Sequence, residues 1–152
     1  MRFAKLLGAH LKSDEVIAIL ERFEIDVTYD FDRLHEGSED RYWAGSKERG
    51  FLFRFDQAQV LDTIFLYMRP REGYAAIDRA EVDVPIYDSF EEAEAAAAQS
   101  GTPFVHSATI PGNRERWWIR LNMGNWTIHY QYNKEGHLRG ITLSVQVVHD
   151  AA

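Results

Sequence analysis

The chain of 152 residues contains no cysteine, and it has fewer basic residues than acidic ones, 17 against 24. The absence of cysteine excludes disulfide bonds, thiolate metal sites and cysteine nucleophiles. The formal net charge is −7. Nucleic acid is not expected as a partner, because binding to phosphates requires a basic face. The acidic excess instead favours encounter with a basic partner.

The sequence also lacks a long apolar run. No stretch is long enough to span a bilayer, and residues 1–10 contain no apolar core of signal-peptide length. We therefore expect no membrane partner and a cytoplasmic location.

Motifs of catalysis and cofactor binding are missing as well. The chain has no G-x-S-x-G elbow, no phosphate loop and no dinucleotide fingerprint. Its six histidines form none of the helical pairs that bring two imidazoles to one metal ion. The sequence therefore predicts a protein that is not an enzyme and that uses no metal and no cofactor.

What the chain does contain is an internal repeat. Ser13 and Ser89 each open an apolar helical stretch, at an offset of 76 (89 − 13). The pair Tyr42-Trp43 recurs as Trp117-Trp118 at an offset of 75 (117 − 42). Segments 51–56 and 64–66 recur at 128–133 and 141–143, both at an offset of 77 (128 − 51). We predict a first unit at 1–70, a packed linker at 71–88 and a second unit at 89–152, together forming one compact domain.

A helix is predicted at the start of each unit. After Ser13, apolar residues from Val16 to Phe23 follow the i, i+3, i+4, i+7 period of an amphipathic helix. Ser89 and Glu92 form an S-x-x-E capping box before an alanine-rich run, which Gly101 can end.

Four strands are predicted after each helix, and short turns between them indicate antiparallel pairing. The predicted strands are roughly 26–31, 41–45, 50–56, 60–68, 104–110, 116–123, 125–133 and 140–149. The predicted fold class is α+β, a tandem repeat of a helix-plus-antiparallel-sheet unit. Its helices would pack on one face of a continuous antiparallel sheet.

Alternation of side chains along the strands assigns the two faces of this sheet. Apolar residues such as Ile119, Leu121, Met123, Val145 and Val147 are predicted to face the helices. The opposite face, here called the outer face, is predicted to carry aromatic and basic residues of the types enriched at binding hot spots. In alternative interpretations, a long loop covers these aromatics, or the assignment of the faces is off by one residue. The predicted partner-binding residues of this face are Trp43, Arg54, Phe65, Tyr67, Trp118, Arg120 and His129.

A second candidate site is an acidic segment around Gly37, here called the acidic loop (residues 30–40). Its spacing does not match a calcium-binding loop, and a solvated polar loop is the simplest interpretation. It could instead engage basic groups of a partner. The acidic residues are Asp30, Asp32, Glu36, Glu39 and Asp40.

The repeated unit, helix first and antiparallel sheet after it, resembles the tandem architecture of the beta-lactamase inhibitor protein family. The resemblance extends from about Phe3 to His149. It implies one continuous sheet in which the helices lie on the side opposite to the open face. It also implies an open face and projecting loops that grip a target enzyme.

Segments 50–56 and 61–67 are similar to those of small cytoplasmic immunity proteins from bacterial toxin–immunity pairs. This resemblance implies an acidic, non-enzymatic protein of bacterial competition that blocks one cognate toxin. Two other hypotheses are kept open. One is an accessory assembly or structural module of a secretion or envelope system. The other is a small-ligand binder or enzyme that uses a pocket between the two halves near Trp117, Trp126 and His129.

Overall fold

The computed structural model describes residues 1–31, 34–37, 39–112, 114 and 117–146. Within these residues, three α-helices and eight strands occur, with a single 3-10 turn at Arg79–Glu81 in the linker. The helices are α1 (Phe3–Leu6), α2 (Asp14–Arg22) and α3 (Phe90–Ser100). The strands are β1 (Val27–Asp30), β2 (Arg41–Ser46), β3 (Phe51–Phe55), β4 (Leu61–Tyr67), β5 (Phe104–His106), β6 (Trp118–Asn122), β7 (Trp126–Tyr132) and β8 (Leu138–Val145).

All of these strands form one antiparallel sheet in the order β1-β2-β3-β4-β8-β7-β6-β5. The ladder between β4 and β8 joins two runs of consecutive strands. An α+β fold with one continuous antiparallel sheet is therefore confirmed. The predicted strands were correct in position, although β5 ends at His106 and is shorter than expected. Strand β8 begins at Leu138, earlier than expected, and residues 147–149 lie outside the described part of the chain.

Both predicted helix starts are confirmed by their capping bonds. The Ser13 hydroxyl accepts the Val16 N–H at 3.4 Å, and the Ser89 hydroxyl accepts the Glu92 N–H at 3.2 Å. The capping box of α3 differs from the standard pattern in one bond. The Glu92 carboxylate accepts the N–H of Asp88 at 3.2 Å and not that of the N-cap residue Ser89. Gly101 ends α3 in the left-handed conformation, with φ 71°.

The helices contact one face of the sheet through aromatic rings. Phe3 of α1 lies 5.6 Å from Phe51 between ring centres, and Phe23, which follows α2, lies 5.7 Å from the same ring. Phe90 of α3 contacts Tyr132 at 6.3 Å. Phe3, Phe51, Phe90 and Tyr132 belong to one buried core, and the partly buried Phe23 packs against it. The core also contains small residues of α3 and the large tyrosines of β7.

Two residues predicted to be core are not buried. Met123 is 41% exposed and Val145 is 37% exposed. Met123 lies in the β6–β7 turn, where strand alternation no longer assigns a face, and Val145 is the last residue of β8. Both lie at the same corner of the sheet, since Val145 pairs with Trp126 at the start of β7. Val147 lies outside the described residues.

The linker is docked along its length. The Ala75 N–H donates to the Lys47 carbonyl at 2.8 Å, and the Ile77 N–H donates to the Tyr67 carbonyl at 2.7 Å. Farther along, the Tyr130 hydroxyl donates to the Pro85 carbonyl at 2.7 Å. The linker therefore runs from the β2–β3 turn across the core side of β7. The division of the chain into two units stays a prediction.

The β3–β4 and β7–β8 hairpins match in backbone detail. Each has a register shift at the same place, between Arg54 and Phe55 in one and between Gln131 and Tyr132 in the other. The Asp56 side chain accepts the Val60 N–H at 3.0 Å. The corresponding bond joins Asn133 and His137 at 2.9 Å. The turn residue before each second strand is left-handed, with φ 65° at Gln59 and 85° at Gly136.

Candidate interaction site on the outer face

The predicted aromatic and basic residues all lie on the face of the sheet that is opposite to the core. The register places Trp43 beside Arg54, and Arg54 beside Thr63. In the other half it places Arg120 beside His129. The described helices contact the other face, so they do not separate these side chains from solvent. Their role as partner-binding residues stays a prediction.

In the first half, these side chains form the Trp43 cluster, defined by Trp43, Arg54, Asp62, Thr63 and Phe65. The Trp43 and Phe65 rings stack with centres 6.3 Å apart. The Arg54 guanidinium donates to the Asp62 carboxylate at 3.1 Å and to the Thr63 hydroxyl at 2.8 Å. Thr63 is only 3% exposed in this arrangement. The ion pair and the hydrogen bond hold the Arg54 side chain in one orientation.

In the second half, the outer face carries the Trp118 cluster, defined by Trp118, Arg120 and His129. The Trp118 and His129 rings meet edge to face at 5.1 Å. The Arg120 guanidinium carbon lies 5.9 Å from the centre of the Trp118 ring, within cation–π range. A rigid aromatic ring beside a guanidinium is a combination enriched at the centres of protein interfaces.

The electrostatics of His129 argue against acid–base chemistry at this cluster. Its Nε2 atom is buried without a hydrogen-bond partner among the described residues. Burial, and secondarily the nearby Arg120 cation, lowers the pKa of His129 from 6.5 to about 4. The imidazole is therefore neutral at neutral pH, and its pKa lies well below the value near 7 that suits a general base.

Tyr67 has a different environment from the other predicted residues. The Tyr74 ring, from the linker, stacks on it with a centre separation of 4.4 Å. Burial raises the pKa of both tyrosines. Gly45 permits this close approach, since a Cβ there would overlap the Tyr74 hydroxyl. The linker thus covers the outer face at Tyr67. The alternative interpretation, in which a long loop covers all the outer-face aromatics, therefore applies at this one residue.

The described residues of the acidic loop lie at the β1 edge of the sheet. Asp30 ends β1, and Asp40 immediately precedes β2. The Tyr29 hydroxyl donates to the Asp40 carboxylate at 2.5 Å, and this bond raises the pKa of Tyr29 to about 12. Glu39 forms an ion pair with Arg41 at 3.2 Å, and Glu36 is exposed. Asp32 lies outside the described residues.

The sites are spread over a wide surface. Strands β2 and β6, which carry Trp43 and Trp118, are separated by β3, β4, β8 and β7. At the ordinary spacing of neighbouring strands, this separation corresponds to roughly 24 Å. The acidic loop lies beyond β2, at the far end from the Trp118 cluster. A ligand that contacts both ends must therefore be large.

The proposed small-ligand pocket near Trp117, Trp126 and His129 is wrong. Trp117 contacts Phe90 of α3 at 5.2 Å between ring centres, and Trp126 packs against the core. His129 lies on the outer face, so the sheet itself separates it from the two tryptophans. The three residues do not share a cavity.

Sequence reasoning missed Asp62 and Arg139 as outer-face residues, because each occupies a β-bulge. The bulge adds a residue and interrupts the alternation that assigns faces. A signal was present in the sequence. The buried residues Leu61 and Ile64 are three positions apart instead of two, and Leu138 and Ile141 repeat this spacing.

Comparison of the chain with protein-family models, curated proteins and solved structures gives no match. The likeness to beta-lactamase inhibitor proteins and to immunity proteins therefore stays a prediction. No helix in the described part of the chain has the length and apolar character needed to cross a membrane. The same residues contain no group of three or more His, Asp or Glu side chains placed to hold a metal ion.

Proposed function

We propose that this protein is a cytoplasmic immunity protein that binds a cognate bacterial toxin and blocks it through the outer face and the acidic loop. The Trp118 cluster carries this proposal. It presents a tryptophan, a guanidinium and a partly desolvated, neutral imidazole on the sheet face opposite to the helices. Large, rigid side chains of these types contribute most of the affinity in many protein interfaces.

The mechanism would be occlusion by a preorganised surface. The Asp62 carboxylate already orients Arg54, and the Trp118 ring already lies beside Arg120. Little side-chain freedom would then be lost on binding, which favours affinity. The acidic loop would meet basic groups of the toxin cleft, while the arginines would meet acidic or aromatic groups. In this proposal the protein performs no reaction of its own.

We also propose that the fold arose by duplication of a helix-plus-sheet unit. The mirrored strand order and the matching bulges and turns support this origin. The two copies differ on the outer face, where Arg54 corresponds to Gln131, and Tyr67 corresponds to Ser144. A shared fold with a divergent surface suits one asymmetric partner.

The experiment is co-purification of the tagged chain with the product of the gene next to its own. Trp118→Ala and Arg120→Glu should each weaken binding by about 5- to 30-fold, or about 1–2 kcal/mol, with an unchanged circular dichroism spectrum. Ile17→Ala is the matched control, because Ile17 is 39% exposed on α2, on the other side of the sheet. Absence of binding by the neighbour, or equal loss in the control, would contradict the proposal.

The alternative, an accessory assembly module, draws support from the sheet edge. Strand β1 is an edge strand, and its residues Val27 and Tyr29, with Phe31 just after it, are each at least 39% exposed. Such an edge can accept a strand from another protein. In that case Val27→Lys would abolish binding to the assembly partner, and Trp118→Ala would have little effect on it. The toxin-binding proposal predicts the reverse: a loss of binding in Trp118→Ala and little effect in Val27→Lys.

A further inference from the structure

We propose that a cavity on the helix side of the sheet binds a free amino acid with an apolar side chain, at a second site that is separate from the outer face. The cavity has a volume of about 210 Å³. It lies where the end of α2 meets the β2–β3 turn and residues 76–78 of the linker. Pockets for drug-sized ligands have volumes of about 300–1,000 Å³, so this cavity suits a smaller molecule.

The floor of the cavity is apolar and belongs to the core. Phe3 of α1 and Phe51 of β3 are at most 1% exposed, and their ring centres are 5.6 Å apart. Phe23 meets Phe51 edge to face at 5.7 Å, and the buried Ile77 of the linker also lines the cavity. Such a floor favours an apolar side chain on the ligand, because binding removes that side chain from water.

The walls of the cavity are held by hydrogen bonds of the backbone. The Ala75 N–H donates to the Lys47 carbonyl at 2.8 Å, and the Arg49 N–H donates to the Ser46 hydroxyl at 3.2 Å. Gly50, with φ 78°, permits the close approach of the linker, since a Cβ there would overlap the Ala75 carbonyl oxygen. The site is therefore preformed, and little freedom of the protein would be lost when a ligand binds.

Two arginines line the cavity without an acidic partner. The guanidinium carbons of Arg22 and Arg49 lie 4.9 and 5.4 Å from the centre of the Phe23 ring, within cation–π range. They are therefore at most 10.3 Å apart (4.9 + 5.4). Neither guanidinium forms an ion pair within the described part of the chain. These two available cations favour a carboxylate on the ligand.

Acidic side chains line the same cavity, and they do not pair with these arginines. Glu48 and Asp78 form no ion pair among the residues that the structure describes. The Asp78 carboxylate instead accepts the Ala80 N–H at 3.0 Å. The third acidic residue, Glu81, is occupied by the amino group of Met1 at 3.1 Å.

Groups of opposite charge thus surround one cavity without contacting each other, and a zwitterion can meet both kinds. Its carboxylate would face Arg22 and Arg49, and its ammonium would face Glu48 and Asp78. A free amino acid carries both charges on one carbon atom, which leaves its side chain for the apolar floor. The observations together therefore select this class of ligand.

The test is an NMR titration of the full chain with L-phenylalanine at millimolar concentration. The amide signals of Phe23, Arg49 and Ile77 should shift, and that of His129 on the outer face should not. Two probes of similar shape each lack one charge: phenylpropionate lacks the ammonium, and phenethylamine lacks the carboxylate. Each should bind at least about fivefold more weakly than L-phenylalanine. Glycine, which lacks the apolar side chain, should also bind more weakly.

Two variants locate the site. Arg49→Gln removes a guanidinium and Ala76→Phe fills the cavity, so each should weaken the binding of L-phenylalanine by at least about tenfold in a folded protein. Arg69→Gln and Ala75→Phe are the matched controls and should retain binding, because both residues are exposed and neither lines this cavity.

Absence of the predicted shifts, equal affinity for the three aromatic probes, or unchanged binding in Arg49→Gln would overturn the assignment. If Ala76→Phe loses the folded spectrum, the exposed Arg49 still provides the decisive variant. The outcome is independent of the proposed function, since the cavity and the outer face lie on opposite sides of the sheet. Arg49→Gln should therefore leave binding of the neighbour-gene product unchanged.

Discussion

Phe65 on β4 and Thr142 on β8 face each other across the ladder at the centre of the sheet. Their separation along the chain, 77 (142 − 65), is the same offset that relates the two β-bulges. Corresponding residues pair with each other only where a local two-fold axis passes between them. Under the duplication proposed above, such an axis would cross the sheet at this pair. The two residues differ in type on the outer face, because a phenylalanine meets a threonine.

Truncation of Phe53 should destabilise the fold strongly. Phe53 is fully buried and lies 5.1 Å from Phe51 and 6.4 Å from Phe3 between ring centres. Phe53→Ala should lower the free energy of unfolding by about 3–5 kcal/mol, measured by urea denaturation. Leu52→Ala, on the neighbouring outer-face position, should cost about 1 kcal/mol. Equal losses in the two variants would show that the faces are assigned wrongly.

The hydroxyl of Tyr130 should anchor the linker. It donates to the Pro85 carbonyl at 2.7 Å from a buried ring. Tyr130→Phe leaves that carbonyl without this donor, so the free energy of unfolding should fall by about 1–2 kcal/mol. Hydrogen exchange should also accelerate at residues 82–88. Tyr29→Phe, which removes an exposed hydrogen bond to Asp40, is the control and should cost less. Unchanged exchange in Tyr130→Phe would count against the anchor.

His129 should make stability depend on pH. Its pKa is lowered in the folded protein from 6.5 to about 4, by burial first and then by Arg120. The unfolded chain therefore binds the proton more readily, and the contribution to stability is complete above pH 6.5 and is lost as the pH falls towards 4.

We expect a loss of about 1 kcal/mol between pH 7 and pH 5, because the partial exposure of the ring weakens the effect. His129→Gln should remove this part of the pH dependence in urea denaturation experiments at the two pH values. Identical losses in the variant and the wild type would contradict the assignment to His129.

Gln59 should be replaceable by glycine with a gain in stability. It has φ 65°, and its counterpart in the second hairpin is Gly136, with φ 85°. Because a side chain is strained in this left-handed conformation, Gln59→Gly should raise the free energy of unfolding by about 0.5–1 kcal/mol, measured by thermal denaturation. Ala58→Gly, in the same turn without positive φ, should lower it. A loss in both variants would refute the predicted strain.

Several features could be predicted because they depend on near neighbours in the chain. The capping serines Ser13 and Ser89 begin their helices as expected, and the alternation around Trp118 and Ile119 assigns their faces correctly. Two parts of the candidate site were not predicted. The bulges at Asp62 and Arg139 interrupt the alternation, and the Tyr74 ring that covers Tyr67 comes from the linker.

The sequence by itself determined α2 and α3, the strands, their turns and most of the outer-face residues, but it did not predict the short helix α1. Hydrogen bonds within a few residues and the two-residue period of a strand specify these features locally. Only the tertiary structure decided that β4 pairs with β8, that the acidic loop lies at the opposite end from Trp118, and that Arg22, Glu48 and Asp78 line one cavity. These features join segments far apart in the chain, and burial of the shared core, which no local pattern specifies, brings them together.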